Sequence, residues 1–322
     1  MPLTGVDLLL TYQCTSRCHH CLYRAGSHHQ DLMSEQQFHA ILESLEGFPL
    51  RWIMLFGGEP LLFQNQLYKW INTITKRFPS VNRSIITNGF WAKTDEQSRE
   101  VLKKLSAAGL THLSLSYDSF HARFVNPANI QRILNELKTN DFQKVTIDSY
   151  FLFGENKQNE YNFKTKELLK QLKIPSFVAL QKFNVLTVGR MVEYLQGNLD
   201  IHTFADSPCD VPYWLGSSLA QLSTIEIDSA GYVTLCPGIT IGNIQQVPLH
   251  KIIASYNPDQ HPIIHALTNT GIGGLIQLAQ EHNVEIPTQS VSSPCHACYV
   301  LRRTLLDTFP NDLAPHHLYV SD

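Results

Sequence analysis

Nothing in this chain of 322 residues reads as a membrane segment. No apolar run is long enough to span a bilayer, and no basic stretch leads into an apolar one. A membrane-spanning or exported protein is therefore not expected, and a cytoplasmic one is. Positive charge is not in excess either. Lys and Arg number 25 against 28 Asp and Glu, a formal net charge of −3. With no basic stripe, nucleic acid is not the expected partner. What is present is a hydrophobic fraction of 43%, enough for a sizeable core in a length that suggests about two domains. Seven cysteines are also present, unevenly placed. Three form Cys14-x3-Cys18-x2-Cys21, and the others are Cys209, Cys236, Cys295 and Cys298. Without an export signal, disulfides are not the expected use of these thiols.

The triad follows residues 6–10, an apolar run that reads as a buried strand. It sits on a loop with Thr, Gln, Ser and Arg, whereas core cysteines would fall on an apolar stripe. The residues leave two metal readings open. One is a zinc site completed by His19, His20, His28 or His29. The other is an iron–sulfur cluster. A four-iron cluster normally takes four cysteines, so three would leave one iron open. Further on, the strand-like run 52–56 leads directly into Gly57-Gly58-Glu59-Pro60. Glycines let a backbone approach a ligand closely, and a carboxylate beside them can receive an ammonium group. The plainer reading is a tight strand-to-helix turn.

Strand-like runs at 6–10, 52–56, 84–87, 113–117, 145–152 and within 176–186 alternate with helical patterns at 34–45, 64–77, 96–108, 129–138 and 165–172. Ser34 is a fitting N-cap. The rhythm predicts a parallel sheet with crossover helices, whose chemistry gathers at the strands' carboxyl ends. The cysteines, Gly57–Glu59, Thr87–Gly89, Ser116–Ser119 and Gly189-Arg190 all fall there. Asn88-Gly89 is equally a turn pair, and Asp118 equally a cap. His121 is placed to transfer a proton, and Arg190 to pair with a carboxylate.

The run Cys14-Thr-Ser-Arg-Cys18-His-His-Cys21, followed by Gly57-Gly58-Glu59-Pro60, resembles the motifs of the radical S-adenosylmethionine (radical SAM) enzymes. That family usually carries an aromatic residue where His20 stands. The resemblance implies a partial (β/α)6 barrel over residues 1–195, with a [4Fe–4S] cluster on Cys14, Cys18 and Cys21. SAM would chelate the open iron and be cleaved reductively. The 5′-deoxyadenosyl radical formed would take a hydrogen atom from an unactivated C–H bond. By the same resemblance Gly57, Gly58 and Glu59 meet the methionine part of SAM. Thr87 and Asn88 line its pocket, Ser116 and Asp118 face the ribose or the substrate, and Arg190 meets a carboxylate.

Beyond residue 195 the rhythm ends. Residues 224–228 alternate like a strand, 229–231 read as a turn, and 232–235 return to deliver Cys236. The order of Cys209, Gly231-x4-Cys236 and Cys295-x2-Cys298 resembles the twitch domain, a shorter relative of the SPASM extension. It implies a small β-hairpin-plus-helix domain over 196–322, holding an auxiliary [4Fe–4S] cluster on the four late cysteines. Structural zinc on the same four is the alternative. Tyr213, Trp214 and the segment 250–292 are candidates for shaping a groove. The relatives so resembled often act on ribosomally made peptides. If every cysteine binds metal, oxidation or cross-linking is expected. If Cys209 or Cys236 is free, it becomes a catalytic hydrogen donor and epimerisation is expected. A small-molecule dehydrogenase is the alternative enzyme, and a non-catalytic zinc scaffold the alternative of another class. A flavodoxin or ferredoxin is the expected electron donor.

Overall fold

The computed structural model describes residues 3–138, 141–206, 209 and 218–320. Among them a nine-stranded sheet forms the frame. Its strands are β1 (Gly5–Leu9), β2 (Trp52–Phe56), β3 (Asn82–Thr87), β4 (His112–Ser116), β5 (Lys144–Phe151), β6 (Val178–Asn184), β7 (Thr224–Asp228), β8 (Tyr232–Cys236) and β9 (Ile239–Asn243). They lie in the order β6-β5-β4-β3-β2-β1-β7-β8-β9, an open sheet with β6 and β9 at its ends. The strands β1 to β7 pair in parallel. β8 and β9 are antiparallel additions. Helices α1 (Glu35–Ser44), α2 (Gln64–Arg77), α3 (Asp95–Ala108), α4 (Pro127–Glu136) and α5 (Glu160–Gln171) join β1 to β6 in turn.

Local chemistry sets these elements. All five residues of β1 are buried, as expected of a parallel strand covered on both faces. The Ser34 side chain accepts from the Gln37 N–H and the Gln37 side chain accepts from the Ser34 N–H, a capping box that starts α1. Helix α3 ends at Gly109, whose φ of +94° is the left-handed conformation that closes a helix cheaply only for glycine.

Two expectations for the second half change. The hairpin is a three-stranded unit, and its β7 lies parallel to β1 with Asp7 opposite Glu226. A free β1 edge would leave a row of unpaired backbone groups, and β7 covers it. Residues 250–292 are not an open groove wall but packed helices: α6 (Leu249–Ser255), α7 (Pro262–Asn269) and α8 (Ile272–Glu281), followed by α9 (Pro294–Thr304). Ile263, Ile264, Leu267 and Leu275 bury their side chains there. Tyr213 and Trp214 lie outside the described residues. Among the described residues no helix is long and apolar enough to cross a membrane.

Candidate active site

The loop after β1 carries the first three cysteines. The Cys14 N–H donates to the Gly26 carbonyl at 3.1 Å and the Cys21 N–H to that of Cys18 at 3.1 Å. The sulfurs accept in turn: Cys14 Sγ from the Ser16 N–H at 3.3 Å, Cys21 Sγ from the Ala25 N–H at 3.4 Å. Such bonds stabilise sulfur carrying negative charge. Burial pushes the Cys14 thiol up to about 12 and Cys18 well above its ordinary value. These thiols therefore give up their protons only to a metal centre.

Arg190 is placed differently from expectation. Its buried guanidinium donates to the carbonyls of Cys18 at 3.0 Å and Ala25 at 2.9 Å. Its backbone N–H donates to Cys21 at 3.1 Å. It staples the cysteine loop from within. A charged hydrogen bond contributes about 1.5–3 kcal/mol. Arg190→Ala is accordingly expected to destabilise the protein by about 3 kcal/mol or more and to lower iron retention at the triad. Denaturant unfolding and iron per chain measure both.

Opposite the cysteines lie the glycines after β2. A Cβ on Gly57 would sit 2.4 Å from the Thr11 carbonyl oxygen, and one on Gly58 2.1 Å from that of Gln13. Only glycine permits this approach. Glu59 turns away from the cleft. Its carboxylate accepts from Thr87 Oγ1 at 2.8 Å, the Asn88 N–H at 2.8 Å and the Leu61 N–H at 3.1 Å. Burial raises it to about 7 in spite of these bonds. The side chain thus ties the glycine turn to the end of β3. Asn88 does face the cysteines, with Nδ2 3.2 Å from Thr15 Oγ1 and 3.3 Å from Ser16 Oγ.

These parts enclose a cleft with about 540 Å³ of atom-free space, lined by all three early cysteines, Gly57, Gly58, Thr87, Asn88, Ser116, His20 and His121. Asp118 does not line it. One carboxylate oxygen accepts from His121 Nδ1 at 2.9 Å and from the N–H of Phe120 at 2.9 Å and of His121 at 3.1 Å. The other accepts from the Tyr150 N–H at 3.2 Å. Burial would raise its pKa, but His121 and these bonds hold it down to about 2. Its bonds to the Phe120 and His121 N–H groups are those of the cap that its position allowed. An ionised Asp118 fixes the proton on His121 Nδ1, and Nε2 is the nitrogen left for the cleft.

A second cleft, with about 930 Å³ of atom-free space, shares His20, Cys21, Phe56, Gly57, Ile86, Ser116 and His121 with the first. It continues down the inner face of the sheet to Asp7 and Glu226. No Lys or Arg lines it. Asp7 accepts from Trp52 Nε1 at 3.2 Å and Glu226 from the Tyr23 hydroxyl at 2.6 Å. Burial raises Asp7 to about 7 and Glu226 to about 8. Sequence reasoning passed over both, although an acid inside an apolar strand run is a readable signal. Their folded pKa values exceed the unfolded ones. The associated stability is therefore complete below about pH 4 and lost as pH rises through 7 to 8. Glu226→Gln should flatten that fall, gaining on the order of a few kcal/mol over the parent at pH 9 relative to pH 6. Anaerobic denaturant titrations at the two pH values measure it.

The late cysteines gather elsewhere. Cys236 ends β8, and Cys295 and Cys298 occupy the first turns of α9. The Cys209 N–H donates to the Leu267 carbonyl at 3.0 Å. Cys298, Cys209 and Cys295 all act electrostatically on Cys236, whose thiol burial pushes well up. Among the described residues, one set of three His, Cys or acidic groups has ligand atoms within 4.8 Å of one another: His20, Asp118 and His121. Neither cysteine set is that tight. Thiolates around a single zinc ion, with Zn–S near 2.3 Å, sit about 3.8 Å apart. The wider spread and the all-sulfur donors suit a larger, cluster-sized group at both places. At the first, the Gly57–Gly58 cradle leaves backbone access beside it.

A parallel α/β frame, three cysteines beyond β1 and a glycine cradle beyond β2 define a class, and residues 8–162 match the model of the Radical SAM superfamily. Residues 8–162, a little under half of the chain, carry the domain of that superfamily, whose members are enzymes. Its relatives are varied. It is 26% identical over 133 residues to the putative peptide biosynthesis protein YydG of Bacillus subtilis (strain 168), covering 40% of each chain. It is 26% identical over 163 residues to GTP 3′,8-cyclase of Ectopseudomonas mendocina (strain ymp), covering 48% of this chain and 47% of the other. The matched segments thus span two fifths to about half of these curated relatives. Among solved structures, native anSMEcpe with bound AdoMet and Cp18Cys peptide shares the fold. Its TM-score is 0.52 at 14% identity, over 97% of this chain and 99% of that one.

Proposed function

We propose that this chain is a radical SAM enzyme that modifies a peptide, in the maturation of a ribosomally made product. One observation carries the choice of substrate: the cleft that opens from the cysteine–glycine site is walled by Asp7 and Glu226 and, among its described lining residues, holds no Lys or Arg. A nucleoside triphosphate would find no Lys or Arg among the described lining residues to balance its phosphates. A basic side chain entering the cleft would instead draw the protons from Asp7 and Glu226, which burial otherwise holds at about 7 and 8. A peptide carrying a basic side chain suits it. The name of YydG and the peptide bound to anSMEcpe agree with this reading.

Cys14, Cys18 and Cys21 would hold the four-iron cluster that, when loaded and reduced with SAM, supplies the hydrogen-abstracting radical. Gly57 and Gly58 would admit the SAM backbone, Asn88 and Ser116 would line its pocket, and His121 Nε2 would accept the proton an oxidised substrate releases. Cys209, Cys236, Cys295 and Cys298 would hold an auxiliary cluster. With four cysteines engaged, no thiol is left as a second hydrogen donor, so net oxidation or cross-linking is preferred to epimerisation. A flavodoxin or ferredoxin would deliver the electron.

The test is anaerobic turnover of reconstituted protein with SAM and side-chain-deuterated peptides, basic and acidic, against GTP. Deuterium in 5′-deoxyadenosine from a basic peptide is the expected result, and consumption of GTP with no transfer from peptides would overturn the proposal. Cys209→Ala and Cys236→Ala should each deplete about four irons. A variant that keeps both clusters but loses an epimerised product would instead restore the epimerase reading.

A further inference from the structure

Arg302 is a buried cation that the proposed chemistry does not use. It lies on α9, seven residues after Cys295 and four after Cys298, on the same helical face. Only 1% of it is exposed. Its Nη1 donates to the carbonyl of Pro237, the residue after Cys236, at 2.8 Å and to the Tyr319 hydroxyl at 2.8 Å. That hydroxyl donates onward to the Gly238 carbonyl at 2.7 Å. The guanidinium lies 5.5 Å from the Tyr319 ring centroid and 5.9 Å from that of Tyr299. Its Nε has no hydrogen-bond partner. Among the described residues the groups that most oppose its charge are Tyr319, Cys298, Cys236 and Tyr299, not a carboxylate.

A guanidinium this deeply buried, with no carboxylate partner among the described residues, is strongly unfavourable unless something else balances it. Neutral thiols would not balance it. Thiolates bound to a metal cluster would balance it, and a four-thiolate iron cluster gains one more negative charge when it takes an electron. The fixed positive charge beside it therefore favours the reduced state, in a low-dielectric surrounding where the attraction is weakly screened.

We propose that Arg302 is the built-in countercharge of a metal cluster on Cys209, Cys236, Cys295 and Cys298, and that it raises this cluster's reduction potential and so makes it an electron acceptor. This rests on the reading that the quartet holds a four-iron cluster. The step would be a one-electron transfer to the cluster from the carbon radical left on the substrate after hydrogen abstraction. The substrate is oxidised as the cluster is reduced, and Arg302 gains and loses no proton in it. Arg302 is a positioning and electrostatic residue and touches no substrate.

The experiment uses the full chain with Cys14, Cys18 and Cys21 replaced by alanine, so that the quartet's cluster alone gives the electron paramagnetic resonance signal in an anaerobic mediated redox titration. Arg302→Gln is expected to shift the one-electron equilibrium at least tenfold toward the oxidised state, about 59 mV to more negative potential. Arg302→Lys, which keeps the charge, should recover most of that shift. An unchanged potential in Arg302→Gln, with the iron retained, overturns the role of Arg302 and leaves the cluster reading standing. A parent protein with zinc or no iron on the quartet overturns the cluster reading itself. Should Arg302→Gln not fold, Arg302→Met gives a second measurement, since apolar residues often replace a buried ion without loss. Stripping the metal should destabilise the parent more than Arg302→Met, because only the parent is left with an unpaired cation. Equal losses in the two overturn the proposal.

Discussion

Replacing Cys14, Cys18 and Cys21 by alanine is expected to halve the iron of the reconstituted protein, from about eight to about four per chain, and to bring 5′-deoxyadenosine formation to background. The three sulfurs line one cleft, and the four late cysteines do not line it. No described thiol can therefore take their place. His20, the neighbour best placed to substitute, is held neutral by burial at a pKa of about 3. It is a single nitrogen ligand where three thiolates are needed. Single replacements should have nearly the same effect, because two thiolates do not hold a four-iron cluster. Iron and sulfide analysis, with product chromatography after reduction with SAM, measures the outcome. Stoichiometric zinc in the parent protein, without SAM cleavage, would sink the enzyme reading altogether.

Gly58→Ala should be nearly as damaging, although it removes no ligand. The added methyl would lie 2.1 Å from the Gln13 carbonyl oxygen and 2.8 Å from that of Tyr12. Both are backbone atoms and cannot swing aside like the tip of a flexible chain. The turn is also pinned from both sides, by Gly58 N–H to Thr11 at 2.6 Å and Glu59 N–H to Gln13 at 2.9 Å. Relief requires the cysteine loop and the glycine turn to move apart, which breaks one of these bonds. Overpacking of this kind costs about 2–4 kcal/mol. The expected result is that loss of stability together with at least a tenfold weaker affinity for SAM, read by denaturant unfolding and by equilibrium binding. A variant with unchanged stability and SAM affinity would show that the cradle is not a ligand site. Gly47→Ala, where an added Cβ meets nothing within 4 Å but φ is +87°, measures the cost of left-handed backbone strain without a clash.

Much of the frame was legible because its signals are local. Alternation of apolar runs with capped helical patterns made the six strands and five helices of the first half legible. The turn residues at strand ends placed Ser116, Asn88 and the cysteines on one rim. Less legible was which polar side chains face a ligand and which support those that do. Glu59, Asp118 and Arg190 stand at strand ends beside the cleft, yet each directs its charge into backbone donors, backbone acceptors or a neighbouring His. Their sequence positions are the same in either case, and only the packing separates a contact from a brace. Asp7 and Glu226 show the reverse. They are 219 residues apart and meaningless singly, and they become one acidic wall because β7 pairs with β1 in register.

The cysteine spacing, with the glycine turn after the second strand, by itself determined the superfamily and the first metal site. Those signals lie within short stretches whose geometry the chain sets locally. The tertiary structure alone decided that the hairpin joins the open parallel sheet through β7 and β1. It also decided that a cation, Arg302, is sealed in beside Cys236 and Cys298 and that the inner cleft is acidic. Each of these depends on contacts between residues far apart in sequence, and such contacts form only when burial of apolar surface fixes which faces meet.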